Sequence, residues 1–385
     1  MRKICVITGS RAEYGLLRGL MKAIQATENV QLQVIATNMH LSPEFGSTYQ
    51  EIEKDGFTID KKVEMLLSSD SPNATAKSVG LGTIGFADAY EDLKPDMIVV
   101  LGDRYEILSA VSVALFYKIP VAHLHGGEIT EGAYDDCIRH AITKMSHLHF
   151  TSTEEYRQRV IQLGEDPKRV FNVGAIGIEN IKQIPLMSKS ELETSLDFTI
   201  GDKCLLVTYH PVTLENSSVE EQCRNLLSAL DELTDYRIIF TMPNSDTNGR
   251  VIMQEIEKFV EKNKKRSISF KSLGITRYLS LLQYVKAVVG NSSSGIIEVP
   301  SFGIPTLNIG IRQKGRISSK SVIHCGTTHD EIVIGLQKAL SEEQRRLSSS
   351  SNNLYEKTNT TYNILKTIRD YPLENLVMKS FYNIH

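Results

Sequence analysis

Short apolar runs alternate with longer segments of helical period along most of this chain. Each run is continuous rather than alternating with polar residues, which is typical of strands buried on both faces of a parallel sheet. The intervening segments repeat apolar residues every three to four positions, so we expect helices that cover both faces. Ten runs are predicted as strands: 3–8, 32–37, 96–102, 120–125, 148–152, 169–174, 203–210, 237–242, 287–292 and 305–310.

The strand pattern breaks between residues 174 and 188, where two glycines and a proline interrupt weak periodicity. A chain of 385 residues also exceeds what one hydrophobic core usually supports. The predicted fold class is therefore α/β, with a Rossmann-like doubly wound parallel sheet in each of two domains, at 1–175 and 176–365. Ligands of such sheets bind at the carboxyl ends of the strands, so we expect the site in an interdomain cleft.

Composition excludes several classes of partner. The chain is 41% hydrophobic and 23% charged, with a net charge of −3 and without a block of like charge long enough for nucleic acid or a membrane surface. It lacks an apolar run of membrane-spanning length and an apolar signal segment near residue 1, so a cytoplasmic protein is expected. The five cysteines have no metal-like spacing and are predicted to be free thiols.

The densest group of chemically active residues lies in HLHGGEITEGAYDDCIRH, residues 123–140. It contains His125, Glu128, Asp135 and Arg139 within a strand end and the following helix start. Asp135 and Arg139 alone would fit a capped helix with one surface ion pair. Acidic and basic groups held this close together also suit proton transfer, and the preceding His125 and Glu128 favour that interpretation.

Other strand ends of the first half carry Arg11 in GSRAEYG, His40, and the Asp103–Arg104 pair in GDRYE. The GSRAEYG turn allows close approach of an anion to a helix N-terminus, although it is neither a dinucleotide fingerprint nor a Walker A loop. The alternative for GSRAEYG is an ordinary turn between a strand and a helix. The alternative for GDRYE is that Asp103 caps a helix while Arg104 forms a salt bridge. The Asp103–Arg104 pair could instead bind a sugar hydroxyl or phosphate.

Two His-x-His pairs, His123/His125 and His147/His149, each place both rings on one face of a strand. Such a pair can bind zinc, but a third ligand at suitable spacing is not evident, so we expect no metal. Packing or hydrogen bonding is predicted for His123, His147 and His149, whereas His125 precedes two glycines at a strand end and is expected at the cleft.

In the second half, His210 in YHPVT ends a strand, and Asn244 follows another. GNSSSGIIEVPSFGIPTLNIGIRQKGR, residues 290–316, places three hydroxyls after a strand. Hydroxyls and helix N-terminal amides suit a diphosphate, and Glu298 lies where a carboxylate could bind a ribose diol. A serine-rich helix cap is the alternative, although three consecutive hydroxyls exceed what capping needs.

These motifs, in this order, resemble the hydrolysing UDP-N-acetylglucosamine 2-epimerases of sialic-acid biosynthesis. The resemblance implies a GT-B-like fold of two Rossmann-like domains, with a C-terminal helical segment, 366–385, that crosses back to the first. It implies a UDP-sugar substrate, no cofactor, and a homodimer or homotetramer. The implied reaction eliminates UDP to form a 2-acetamidoglucal, whose hydration gives N-acetylmannosamine.

The resemblance also implies roles for individual residues. Asp103 and Asp135 resemble the acid/base carboxylates, with Arg139 beside Asp135, and Glu298 resembles the ribose ligand. The predicted diphosphate ligands are His210, Ser292, Ser293 and Arg312. The remaining predicted substrate-binding residues are Arg11, His40, Arg104 and Asn244.

One departure from the family leaves the chemistry open. Some members have HIEGGE where this chain has HLHGGE, so His125 replaces a glutamate treated as catalytic there. Either His125 takes over proton transfer or Glu128 does. The change also fits a variant substrate, a UDP-linked 2,4-diacetamido-6-deoxy hexose of a legionaminic-acid pathway, and a GT-B glycosyltransferase is a further alternative.

Overall fold

In a computed structural model, which describes residues 1–69, 71–131, 133–212, 218–243 and 249–384, the chain forms two compact units. The first unit consists of Met1–Glu128, Asp135–Asn180 and the residues from Tyr355 onward. The second consists of Ile129–Tyr134 and Ile181–Leu354. The predicted class, two α/β units with parallel sheets, is confirmed.

The strands and helices alternate along the chain as the hydrophobic pattern predicts. The strands are β1 (Arg2–Thr8), β2 (Val30–Thr37), β3 (Lys61–Val63), β4 (Met97–Leu101), β5 (Val121–Leu124), β6 (Leu148–Thr151), β7 (Val170–Asn172), β8 (Cys204–Thr208), β9 (Arg237–Thr241), β10 (Ser267–Phe270), β11 (Ala287–Gly290), β12 (Thr306–Ile309) and β13 (Val322–Cys325). The helices are α1 (Arg11–Gln25), α2 (Tyr49–Lys54), α3 (Pro72–Leu93), α4 (Tyr105–Phe116), α5 (Asp135–Met145), α6 (Glu154–Gln162), α7 (Ile176–Gln183), α8 (Lys189–Leu196), α9 (Val219–Asp231), α10 (Gly249–Lys262), α11 (Gly274–Leu282), α12 (Ser294–Ile297), α13 (His329–Ala339), α14 (Glu342–Ser349) and α15 (Thr360–Asp370).

The first unit is built on a seven-stranded sheet in the order β3-β2-β1-β4-β5-β6-β7, and its neighbouring strands are parallel. Its interior strand β1 is buried on both faces, which explains its continuous apolar sequence. Ile4 and Val6 of β1 pack into one core, and Cys5 and Ile7 pack into the core on the opposite face. Because β1, β4 and β5 are parallel neighbours, the polar residues that follow them lie at the same edge of the sheet.

The second unit contains a six-stranded parallel sheet in the order β10-β9-β8-β11-β12-β13. Its central strand β8 is also buried on both faces, with Leu205 and Val207 in one core and Cys204 and Leu206 in the other. The loops that follow β8, β11 and β12 carry the polar residues predicted to bind a diphosphate.

The borders between the units differ from those expected. The chain passes to the second unit at 180/181 rather than 175/176, because α7 places Ile176 in the first core. It returns to the first unit at Tyr355 rather than at residue 366. The Tyr355 side chain is buried there, with its hydroxyl 2.9 Å from that of Tyr156. Among the described residues, no helix is both long and apolar enough to cross a membrane.

Candidate active site

A buried arginine on α5 organises the acidic residues of the first unit. Arg139 is 1% exposed, and its Nη2 donates to Oδ2 of Asp103, which follows β4. Its Nη1 donates to the backbone carbonyl of Glu128 at 2.8 Å and lies 3.7 Å from Oδ1 of Asp136. A buried guanidinium needs such partners, because leaving it uncompensated costs several kcal/mol. Asp136 is a neighbour that the sequence analysis did not select, and Asp135, half-buried, begins the same helix.

His125 and Glu128 form a second contact beside this arginine. Nδ1 of His125 lies 3.0 Å from Oε1 of Glu128, and the hydroxyl of Ser152 donates to that same oxygen at 2.8 Å. The backbone N–H of Ile176, at the start of α7, points at Nε2 of His125 over 3.4 Å. Ser152 was missed by the sequence analysis; its position directly after β6 is the one signal that it offered.

The turn that carries this pair has an unusual backbone. His125 adopts φ +64°, in the left-handed region that favours glycine. Gly127 is also left-handed, at φ +78°, and a Cβ there would lie 2.4 Å from the carbonyl oxygen of Tyr156. The second glycine of the HGGE motif is therefore required by close packing of the turn on α6.

The GSRAEYG turn joins β1 to α1 and carries the cap of that helix. Ser10 caps α1 in a capping box with Glu13, and Nε of Arg11 forms a 2.5 Å salt bridge with Glu51. The backbone N–H of Gly9 donates to Glu13 at 2.7 Å. Arg11 is therefore held at the carboxyl end of β1 by an acidic partner from α2.

Arg104 is likewise held inside its own unit. Its Nε donates to Oε1 of Glu106 at 2.7 Å, and the Glu106 side chain is fully buried. Burial, followed by the nearby Glu106 carboxylate, raises the pKa of Glu13 well above the usual carboxyl range. The salt bridge considered for Arg104 is thus present, while Asp103 pairs with Arg139.

Four other histidines have structural partners, as expected for three of them. His40 is fully buried between the hydroxyls of Thr8 at 3.0 Å and Thr48 at 2.8 Å, and burial lowers its pKa to about 3. The other contacts are His123 Nε2 with the Gly102 carbonyl, His147 Nδ1 with the Val121 amide, and His149 Nε2 with Glu165. Within the described residues, no group of three or more His, Cys, Asp or Glu side chains is placed to hold a metal ion.

In the second unit, Asn291 connects two predicted diphosphate ligands. Its side chain accepts from the His210 backbone N–H at 2.7 Å and donates to the His210 carbonyl at 2.8 Å. Its own backbone carbonyl accepts from Arg312 at 3.2 Å and from Gln313 at 2.9 Å. Asn291 therefore holds the loops after β8, β11 and β12 together, a role that sequence analysis did not assign.

The serine run after β11 directly follows Asn291 in the sequence. Ser292 and Ser293 are half-buried and immediately precede the short helix α12, and Glu298, 9% exposed, directly follows that helix. The hydroxyl of Ser294 bonds to that of Tyr278. Asn244, the remaining predicted ligand, lies outside the described residues.

The segment Ile129–Tyr134, which connects Glu128 to α5, belongs to the second unit. The backbone N–H of Glu131 donates to the Lys314 carbonyl at 3.2 Å, and the side chains of the two residues pair at 2.9 Å. Gly315 leaves room for this segment, since a Cβ there would lie 2.3 Å from Ile129.

Taken by unit, the geometry brings together Asp103, His125, Glu128 and Arg139 in the first and His210 with Arg312 in the second. Arg11, His40 and Arg104 have partners of their own within the first unit. The roles assigned to all these residues stay predictions.

Comparison with known proteins adds an independent line of evidence. A family model described as UDP-N-acetylglucosamine 2-epimerase matches residues 22–369. A Campylobacter jejuni protein named GDP/UDP-N,N′-diacetylbacillosamine 2-epimerase (hydrolyzing) is 49% identical over 322 residues, 84% of each chain. An Escherichia coli protein named Polysialic acid biosynthesis protein P7 is 40% identical over 386 residues, which cover 100% of this chain and 98% of that one.

A solved structure shows the same fold. The crystal structure of UDP-GlcNAc 2-epimerase from Neisseria meningitidis bound to UDP-GlcNAc matches with a TM-score of 0.81 at 16% identity, covering 95% of this chain and 99% of that chain. The GT-B-like fold class predicted from the sequence is confirmed by this likeness.

Proposed function

The chain belongs to the UDP-N-acetylglucosamine 2-epimerase family, and we propose that it is a hydrolysing 2-epimerase of a UDP-linked 2-acetamido sugar. A base removes the C2 proton while the C1–O bond to UDP breaks, which gives a 2-acetamidoglucal. Water then adds at C1 and a proton returns to C2 on the other face. The products are UDP and the free sugar inverted at C2.

The observation that carries this proposal is the hydrogen-bonded group around Arg139. The reaction needs one group to take a proton from carbon and another to return one, because the two transfers occur on opposite faces. The network contains two distinct proton-transfer groups. One is Asp103, which accepts a hydrogen bond from Arg139, and the other is the His125–Glu128 pair. Asp135 at the start of α5 is a third candidate.

The second unit supplies the proposed nucleotide ligands. Arg312, His210, Ser292 and Ser293 would bind the diphosphate, because charge-assisted and hydroxyl hydrogen bonds suit phosphate oxygens. Glu298 would bind the ribose diol. What supports this assignment is the Asn291 framework, which holds His210 and Arg312 on one loop cluster. Stabilising the departing UDP lowers the barrier, since the sugar C2 proton is weakly acidic.

Two sugars are candidates for the substrate. The Campylobacter relative, at 49% identity, is named for N,N′-diacetylbacillosamine, and this relationship favours UDP-N,N′-diacetylbacillosamine. The Escherichia coli relative, at 40% identity over the whole chain, is named for polysialic acid biosynthesis, which favours UDP-N-acetylglucosamine with N-acetylmannosamine as product. A homodimer or homotetramer in the cytoplasm remains the expectation from the sequence.

The decisive experiment is proton NMR of the enzyme with each UDP sugar in deuterated water. We expect free UDP and a free sugar that carries deuterium at C2, with the preferred substrate showing the higher kcat/KM. Product with full protium at C2 contradicts the glycal route. A C2-inverted sugar still attached to UDP identifies a non-hydrolysing epimerase, and transfer of the sugar without inversion identifies a glycosyltransferase.

A further inference from the structure

We propose that Nε2 of His125 is the base that removes the C2 proton, and that Glu128 acts through the imidazole as a positioning residue. The inference rests on the proposed function. In this step the N–H bond forms as the C2–H bond breaks, and the released electron pair becomes the C1–C2 double bond as UDP departs. The resulting imidazolium lies against the Glu128 carboxylate, so the charge that develops is paired.

Two independent contacts define the same tautomer of His125. An ionised carboxylate only accepts hydrogen bonds, so the 3.0 Å contact with Glu128 places a proton on Nδ1. A backbone N–H only donates, so the contact from Ile176 places the lone pair on Nε2. The imidazole is therefore oriented with a basic nitrogen on the side away from the carboxylate, which is the arrangement of a carboxylate-oriented histidine base.

Accessibility distinguishes the two side chains. The side chain of Glu128 is 2% exposed, and its Oε1 already accepts from both Ser152 and His125. The His125 side chain is 9% exposed, and its Nε2 has a long 3.4 Å contact with the amide of Ile176. A hydrogen bond of that length is weak, so breaking it to release the lone pair of Nε2 costs little.

The backbone at His125 supports a role for the ring. A left-handed conformation costs a residue with a Cβ roughly 1–2 kcal/mol, and glycine adopts it without that cost. The same turn continues with Gly126 and Gly127, so a turn with purely structural function would be more stable with glycine at position 125 as well. Backbone strain occurs at functional sites, but Lys94 and Lys118 of this chain are left-handed in other turns, so the strain supports the role of His125 only together with the two contacts of its ring.

The left-handed backbone at position 125 also allows substitutions that remove the imidazole without adding backbone strain. Glycine at position 125 removes the imidazole while the left-handed turn is retained, and asparagine adopts the same conformation more readily than most residues. We expect His125→Gly and His125→Asn to stay folded, to keep their UDP affinity, and to lose about 10² to 10⁴-fold in kcat. Exogenous imidazole should restore part of the turnover of His125→Gly, and formate should not.

The positioning role of Glu128 is tested by NMR of the enzyme with [15N]histidine, in which the His125 signals are identified by their loss in His125→Asn. We expect the Nδ1–H tautomer in the parent and a shift toward the Nε2–H tautomer in Glu128→Gln, because the new amide can donate to Nδ1. Ser152→Ala is the matched variant: it removes one hydrogen bond from the same oxygen and should leave the tautomer unchanged.

The opposite results overturn the inference. An Nε2–H tautomer in the parent, turnover of His125→Asn within tenfold of the parent, or failure of imidazole to rescue His125→Gly each contradict His125 as the base. Rescue of Glu128→Ala by formate would assign the proton transfer to Glu128. The tautomer measurement does not need turnover, so a parent inactive with both UDP sugars would refute the proposed function separately.

Discussion

The side chain of Asn291 forms one accepted and one donated hydrogen bond with the backbone of His210, a residue 81 positions away in sequence. Both groups are buried, so the loop after β8 is held in register with the loop after β11. Because Arg312 donates to the Asn291 carbonyl, the same residue also determines where the loop after β12 lies.

Replacing Asn291 should therefore weaken both stability and nucleotide binding. Asn291→Ala leaves a buried N–H and a buried carbonyl of His210 without their partner, and each such loss costs about 1–3 kcal/mol. Denaturant unfolding and calorimetric titration with UDP measure the two effects. Gln313→Ala is the control: it removes one hydrogen bond to the Asn291 carbonyl and keeps both hydrogen bonds to His210, so it should fall between the parent and the alanine variant. Unchanged UDP affinity in Asn291→Ala would refute the proposed framework.

Asp103→Asn should bind UDP while losing turnover, and its free energy of unfolding should fall because the charge opposite the buried Arg139 is removed. Asparagine keeps the shape of aspartate but cannot transfer a proton, and general acid–base catalysis contributes about 10² to 10⁴-fold. Steady-state kinetics with the preferred UDP sugar checks the loss, and calorimetry checks UDP binding. Asp136→Asn is the control, since Asp136 contacts the same arginine at the longer distance of 3.7 Å. Near-normal turnover of Asp103→Asn would leave Asp103 with the structural role of pairing Arg139.

Arg312→Ala should weaken binding of UDP and of the UDP sugar by similar factors. A charge-assisted hydrogen bond to phosphate contributes about 1.5–3 kcal/mol, so the expected rise in Kd is roughly tenfold or more. Lys314→Ala is the control on the same loop: this lysine is exposed and pairs with Glu131. Equal UDP affinities of the parent and Arg312→Ala by calorimetry would remove Arg312 from the diphosphate site.

Acid should destabilise the first unit through Glu165. Burial acts to raise the pKa of this carboxyl, but hydrogen bonds from His149, Lys144 and Lys379 outweigh it and lower the pKa to about 2. A depressed carboxyl pKa stabilises the fold above its unfolded value of 4.5, and this contribution is lost as pH falls toward 2.

Glu165→Gln should therefore lower the free energy of unfolding at neutral pH and flatten its decline between pH 4.5 and 2. Chemical denaturation at several pH values measures both effects. Glu155→Gln is the matched control, because Glu155 is exposed and pairs with Arg159 at 3.3 Å. The same acid dependence in parent and Glu165→Gln would contradict the assignment.

The hydrophobic pattern predicted the central strands of both sheets and missed three strands at their edges. The missed strands are Lys61–Val63, Ser267–Phe270 and Val322–Cys325, which form β3, β10 and β13. An edge strand pairs on one side only and is less completely covered, so its sequence need not be a continuous apolar run. The strands β1 and β8 could be predicted because burial on both faces gives them continuous apolar sequences.

The residues of the site were predictable where they follow strands, but their partners were not. Local spacing pointed to Asp135 as a partner of Arg139, but it gave no sign of the contact between Arg139 and Asp103, which are 36 positions apart. The tautomer of His125 depends on the backbone amide of Ile176, which carries no side-chain signal. Contacts of this kind arise from tertiary packing. A sequence motif therefore identifies the residues of the site but not their hydrogen-bond partners.

The return of the chain to the first unit at Tyr355 has a consequence for the order in which the molecule is completed during synthesis. Arg2, at the start of β1, donates to the carbonyl of Ile368 on α15, and Thr360 donates to the carbonyl of Val173. A ribosome adds roughly 5–20 residues per second, so the earliest strand waits tens of seconds for these partners. The second unit has all of its residues once Leu354 is made. The half of the protein that is translated first is therefore finished last, and during that interval the surface that α15 will cover is open to chaperones and proteases.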